Sequence, residues 1–215
     1  MDKQEFKTIY LASGYAKLKE FGVIYNDLII PRENRQCMLE VDLSDYDILI
    51  ATPPCNFYSY ARGAKLPSKY ALETAHLLLE IIIKFHGTGK PFIVENVTNR
   101  TALDFIWVMA AELGLYRFKH ARHTYTTNVR FDISGVPKEF DFCKGGYFVN
   151  PFGNRQGGNQ VSAILDLFVK AAKSKLARKA WQHCKAAEPV KDAQTLKAAR
   201  HELQKRLDFL KGSEL

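Results

Sequence analysis

Short apolar runs alternate with longer amphipathic stretches along this chain. Lys7 to Ala12, Val23-Ile24-Tyr25, Asp47 to Ala51 and Pro91 to Val94 are too short for helices and end in polar or proline residues, so they are predicted strands. Between and after them lie stretches with helical spacing. Tyr15 to Phe21 is a short amphipathic piece closed by Gly22, and Leu72 to Phe85 is a long apolar helix. Thr101 to Leu113 repeats Leu103, Ile106, Trp107, Ala110 and Leu113 on one face, with Gly114 as its stop. Cys37 to Val41 is a further apolar segment, followed by Asp42. From Val161 a helix carries Ile164, Leu165, Phe168 and Val169. Pro189 separates it from another with Leu196, Leu203, Leu207 and Leu210.

Strands in alternation with helices predict an α/β domain with a mostly parallel sheet and helices on both faces. The helix between the third and fourth apolar runs is the crossover that parallel neighbours require. Residues 131–156, rich in Gly, Pro, Phe and Asn, break the rhythm and read as rim loops and short strands. Residues 1–170 form the expected domain, and 171–215 a basic helical extension.

Two motifs carry chemistry. Thr52-Pro53-Pro54-Cys55-Asn56-Phe57-Tyr58-Ser59 directly follows one apolar run. The prolines fix φ and remove two backbone donors, so the strand stops and the loop is held in one shape. A cysteine placed there reads as a presented thiol, although cysteine also serves as a small buried hydrophobe. The next predicted strand ends in Glu95-Asn96-Val97. Ligands of open α/β sheets bind outside the carboxyl ends of the strands, so thiol and carboxylate should share one rim.

Pro-Pro-Cys after one strand and Glu-Asn-Val after the next resembles the DNA cytosine-5 methyltransferases. The resemblance implies a Rossmann-like, S-adenosylmethionine-dependent methyltransferase fold acting on a cytosine flipped out of duplex DNA. It makes Cys55 the nucleophile toward cytosine C6 and Glu95 the partner of ring N3. Pro54, Asn56, Ser59 and Asn96 fall at substrate-binding positions, with Asn56 where the family usually has glutamine. Arg62 and Arg122 become the candidate cations for the thiolate, and Arg130 a candidate substrate contact. Arg62 fits the rest of the catalytic loop, whereas the spacing of Arg122 and Arg130 departs from the family's Gln-x-Arg-x-Arg run. For the cofactor, the resemblance points to Ser13 and Gly14 on the first turn, Asp27 for the ribose hydroxyls, Asp42 near the adenine, Pro53, and Asn159 of Gly158-Asn159-Gln160-Val161. The family's glycine-rich first turn is reduced here to Leu11-Ala12-Ser13-Gly14-Tyr15. Turn and helix-cap chemistry accounts for Asp27, Asp42 and Gly158-Asn159 equally simply. The match runs in order over most of residues 8–170, with little room for a target-recognition region.

The chemistry implied is covalent. A thiolate at C6 makes C5 enamine-like, and a proton at N3 assists the addition. A free thiol with a pKa of about 8.5 needs help to ionise. Phe57, Tyr58 and Tyr60 are either stacking groups for the displaced base or packing for the loop. Two other readings stay open: a cytosine-C5 enzyme with a different donor or an RNA substrate, and a decayed methyltransferase that binds DNA without turnover.

Charge adds a partner. The net charge is +8, and residues 170–206 hold eleven Lys and Arg against three acids, so the rest of the chain is balanced. Such a block suits a polyanion through counterion release, or is simply a solvated helical face. The C-terminal leucines can serve a homodimer or another partner, or pack on their own domain. Four scattered cysteines, at 37, 55, 143 and 184, have no zinc spacing, so no metal and a reduced, cytoplasmic setting are expected. No stretch approaches the ~20 apolar residues of a membrane helix, and Met-Asp-Lys-Gln-Glu lacks the order of a secretory signal.

Overall fold

The computed structural model describes residues 6–14, 17–20, 22–29, 31–59, 67–97, 104–136, 155–178 and 189–212. At 104–105, 107, 155–160, 189–193 and 195–196 it describes the backbone alone. The elements run β1 (Thr8–Leu11), β2 (Val23–Tyr25), β3 (Ile48–Ala51), α1 (Lys69–Thr74), α2 (Leu77–Thr88), β4 (Phe92–Val97), α3 (Asp104–Glu112), β5 (Tyr116–His120), β6 (His123–Thr127), α4 (Arg155–Ala177) and α5 (Pro189–Gly212).

The strands form one mixed six-stranded sheet in the order β2-β1-β3-β4-β6-β5. β2, β1, β3 and β4 pair in parallel, while β6 pairs antiparallel with both β4 and β5. Only β6 therefore runs against the rest. The expected α/β class holds, but the mostly parallel sheet acquires an antiparallel hairpin that the apolar pattern did not announce. β5 and β6 are joined by Ala121-Arg122 alone, and Ala121 takes a φ of 52°. A two-residue hairpin needs a positive φ, and glycine or asparagine normally signals it. Here alanine fills the place.

Both faces of the central strands are apolar because both are covered. Ile9, Leu11, Leu49, Ala51, Phe92 and Val94 face α2, α3 and α5. Tyr10, Ile48, Ile50 and Ile93 face the other way, onto Val161, Ile164, Leu165, Phe168 and Val169 of α4. The α4 stripe matches its reading from spacing, but the helix begins at Arg155, well before Val161. Gly114 ends α3 as expected: at φ 66° it donates to Ala111, and Leu115 donates to Ala110.

The predicted helix from Leu72 to Phe85 is two helices. Tyr58 donates its hydroxyl to the Ala75 carbonyl at 2.7 Å, and Thr74 turns its hydroxyl back onto Tyr70. Both compete with the helical ladder at the break. The apolar segment Cys37–Val41 forms turns, pinned by Lys84 Nζ on the carbonyls of Leu39 and Val41.

α5 packs on α3 and α2 through Ala199, Leu203 and Leu207, all buried, with Leu210 at the edge. The leucine stripe thus covers its own core; the side chain of Leu196 lies outside the described residues. Arg200 also grips Glu80 of α2 with both carboxylate oxygens, although half its side chain is exposed. Among the described residues, no helix is long and apolar enough to cross a membrane, and no cluster of His, Cys, Asp and Glu could hold a metal ion.

Leu203→Ala is expected to cost about 2–4 kcal/mol in urea unfolding, because it opens a hole in the core. Truncating Arg200 to alanine should cost less than about 1 kcal/mol, as for other solvent-screened pairs. Ala121→Gly should stabilise the protein by about 0.5–1 kcal/mol: it relieves a left-handed alanine worth roughly 1–2 kcal/mol and gives part of that back in chain entropy. Equal unfolding midpoints for wild type and Ala121→Gly would contradict the strain at this turn.

Candidate active site

Where the strand order reverses, the chain opens a crevice. From β1 the chain leaves toward the α4 face, where Leu18 is buried, and returns to β2. From β3 it leaves through α1 and α2 on the opposite face before forming β4. The loops separate, and the carboxyl ends of β1, β2, β3 and β4 line a cavity of about 340 Å³, within the range of small-molecule sites. Cys55 and Glu95 both line it. The two motifs singled out in the sequence therefore do meet at one rim.

The Cys55 loop is fixed from three sides. Thr52 donates its hydroxyl to the Ala12 carbonyl at 2.8 Å, tying the loop to the β1 turn. Asn96 donates its side-chain amide to the Pro53 carbonyl at 3.1 Å, tying it to the end of β4. Tyr58 N–H closes a turn onto the Cys55 carbonyl, and the Phe57 and Tyr58 side chains are buried edge to face in the core. Phe57 and Tyr58 are thus anchors: of the two readings left open for them, packing of the loop is the one observed. Tyr60 lies outside the described residues, as does Arg62. Pro53, Pro54 and Asn56 line the cavity, whereas Ser59 sits half-buried away from it. Asn96, expected at the substrate, is turned onto Pro53 and serves as the clamp between the two motifs.

Glu95 is buried beside His123 of β6, whose Nδ1 lies 2.5 Å from Glu95 Oε1. Register explains the contact. Glu95 faces Tyr125 across the ladder and Val97 faces His123, so the glutamate and histidine are diagonal neighbours on one side of the sheet. Burial, and then the charge of Glu95, hold the Tyr125 phenol well above its ordinary range. The phenol of Tyr10 rises chiefly through burial as well. Both rings stay neutral beside the carboxylate.

The Cys55 thiol is pushed up to about 11, first by burial and then by the Glu95 charge. The resting thiol is therefore protonated, the reverse of a pre-formed thiolate. Arg122, expected to stabilise that thiolate, sits half-buried in the β5–β6 turn at the same rim but not in the cavity wall. Arg130 follows the far end of β6, past Thr127, which pairs with Ile93. Strand direction carries it to the opposite rim, away from Cys55.

The expected cofactor residues divide. Gly14 and Asp27 line the cavity. Asp27 accepts the N–H groups of Gly14 and Ile29, each at 2.9 Å, and joins the β1 turn to the end of β2. Ser13 is fully buried with its hydroxyl on the Asn26 carbonyl, so it shapes the turn rather than facing a ligand. Ala12 and Gly14 take φ values of 50° and 55°, so alanine occupies one of the turn's two left-handed positions. Arg32 clamps this turn by donating to the Gly14 carbonyl, and its guanidinium lies over Tyr25. Asp42 is exposed and caps a turn through the N–H of Ser44, which holds its carboxyl below the usual range. It does not line the cavity. Asn159 lies within α4, one turn past its start, and not in a cap before it; its side chain is outside the described residues.

Sequence reading missed His123, Cys37 and the α1–α2 wall of Tyr70, Thr74 and Leu77. His123 stood in a stretch read for its arginines, and only the antiparallel register brings it to Glu95. No protein-family model matches the chain, and no curated protein matches its sequence.

Alkylation of Cys55 by iodoacetamide, followed by peptide mass mapping, should accelerate as pH rises through about 11. A rise of about two units from the ordinary value near 9.0 lowers the thiolate fraction at neutral pH roughly a hundredfold. In Glu95→Gln the titration should move down, since one of its two causes is removed. A Cys55 profile centred below pH 8 would overturn this account of the thiol.

Proposed function

We propose that the chain is a DNA cytosine-5 methyltransferase using S-adenosylmethionine. The observation that carries this reading is the convergence of Cys55 and Glu95 on one cavity at the sheet's switch point. Each belongs to a motif that resembles that family, and Asn96 of the second motif holds the loop of the first. An antiparallel strand beside a mainly parallel doubly wound sheet is common in such folds, so β6 is compatible with the Rossmann-like reading.

The cavity also supports the cofactor by its charge. Its described charged side chains are Asp27 and Glu95, with no lysine or arginine among them. Such a wall disfavours phosphate-bearing cofactors and suits a ligand with a sulfonium and an ammonium group. Asp27 and the backbone at Gly14 would hold the nucleoside part, where the left-handed turn lets the main chain come close. When bound, this cofactor supplies an electrophilic methyl group.

The protein's part is covalent activation of the base. Cys55 Sγ adds to C6, the C5=C6 pair shifts to C4=C5, and the C4=N3 pair settles on N3, which takes a proton from Glu95. C5 is then a nucleophile. Loss of the C5 proton and elimination release Cys55. Bringing the base into the site costs a few kcal/mol of unstacking, and the basic residues of α4 and α5 would repay part of it on the backbone. Several of those are already engaged within the chain: Lys170 and Lys173 reach Glu20, Arg200 reaches Glu80, and Arg206 reaches Glu202.

The test is mass spectrometry after incubation with S-adenosylmethionine and duplex DNA carrying 5-fluorocytosine. A stable adduct on Cys55 bearing the methyl group is expected, together with loss of adduct and turnover in Cys55→Ala at unchanged DNA affinity. Undiminished methylation by Cys55→Ala would sink the assignment.

A further inference from the structure

The resting thiol is a poor nucleophile and must lose a proton as it adds to C6, while N3 of the ring must gain one. The second need falls on Glu95. Glu95 lines the cavity with Cys55 and is close enough for its charge to raise the thiol. Behind it stands His123, which is 6% exposed, with Nδ1 on Oε1 at 2.5 Å. A buried carboxylate and imidazole at that distance share one hydrogen bond and hold a proton between them, on either partner. A lone glutamate that has given its proton to N3 is left as a bare buried carboxylate; paired with His123 it keeps a hydrogen bond and can be reprotonated through the imidazole.

We propose that Glu95 and His123 form a proton relay for ring N3, with His123 acting through Glu95 and not touching the base. The inference rests on the cytosine-5 reading of the site. As Cys55 Sγ–H breaks, its proton goes to water at the mouth of the crevice, where Cys55 is only partly buried, and the thiolate electron pair forms the Sγ–C6 bond. The pair's own proton leaves Glu95 for ring N3. The pair then takes a replacement proton from water, and the net change is one proton moved from sulfur to N3 by way of solvent. Elimination runs the same transfer backwards.

The surroundings suit this role. From β1 the phenol of Tyr10 faces Glu95, and from β6 that of Tyr125; both are held neutral by burial and take no part in the exchange at working pH. Cys55 faces it from the loop after β3. From β5, His120 lies opposite His123 in the ladder, but its Nε2 is on the Val136 carbonyl at 3.1 Å. Asp27, the other acid of the cavity wall, has its carboxylate on the N–H groups of Gly14 and Ile29.

The experiment measures the rate of Cys55 adduct formation with 5-fluorocytosine DNA from pH 5.5 to 9.5 for wild type, His123→Asn and Glu95→Gln. Asparagine can still donate an N–H to Oε1 and hold the carboxylate, but it cannot bind the proton. The relay requires His123→Asn to fall at least tenfold and lose one limb of the pH profile, at wild-type DNA affinity. A wild-type rate and profile in His123→Asn would show that His123 only positions Glu95 and would overturn the relay. A wild type that forms no adduct ends the methyltransferase reading, and the pair is then judged by ¹⁵N titration of the His123 ring. A His123 titration displaced in Glu95→Gln supports a proton shared by the pair, and an unmoved one overturns it.

Discussion

Everything at the cavity depends on three short strands, β1, β3 and β4, aligned in parallel and buried on both faces. Their register, with Leu11 beside Ala51 and Ala51 beside Val94, brings their carboxyl ends to one level. Because helices cover both sides, the strands cannot slip by one residue without exchanging their two apolar sets between differently shaped layers. The positions of Thr52, Glu95 and the β1 turn follow from that alignment. The side chains that refine it, Thr52 on Ala12 and Asn96 on Pro53, are short polar links between loops already brought together.

The hairpin of β5 and β6 has a different role. It extends the sheet past β4 and closes the wall behind Glu95. Without β6 the glutamate would face solvent or apolar packing, and its charge would be either screened or costly. With β6 in place it is buried, hydrogen-bonded to His123 and electrically close to a thiol. The protonated Cys55 is the direct consequence: the burial that shapes the site also removes the water that would solvate a thiolate. Thiol and carboxylate are therefore coupled through the electrostatics of one cavity.

The C-terminal helices illustrate how composition and packing part company. The segment's excess of positive charge suggests a surface given over to a polyanion, but α5 also buries Ala199, Leu203 and Leu207 in the main core. Salt bridges to Glu20, Glu80 and Glu202 hold several of its cations against the chain's own acids. The helix is thus a structural layer of the sheet before it is anything else.

Local chemistry in the sequence determined the strands that carry Cys55 and Glu95, the α4 stripe and the Gly114 stop. Apolar runs, proline and helix-ending glycine act over a few residues, and those signals are legible in one dimension. The shared rim followed from the parallel rule, which needs only strand order. Three features were decided by tertiary structure alone. The β5–β6 hairpin turns on an alanine in a glycine's conformation, so its turn carried no signal. The Leu72–Phe85 helix breaks because a phenol from a loop seventeen residues upstream takes the Ala75 carbonyl. His123 meets Glu95 across an antiparallel ladder, twenty-eight residues away, where only the pairing register could choose histidine over the neighbouring arginine.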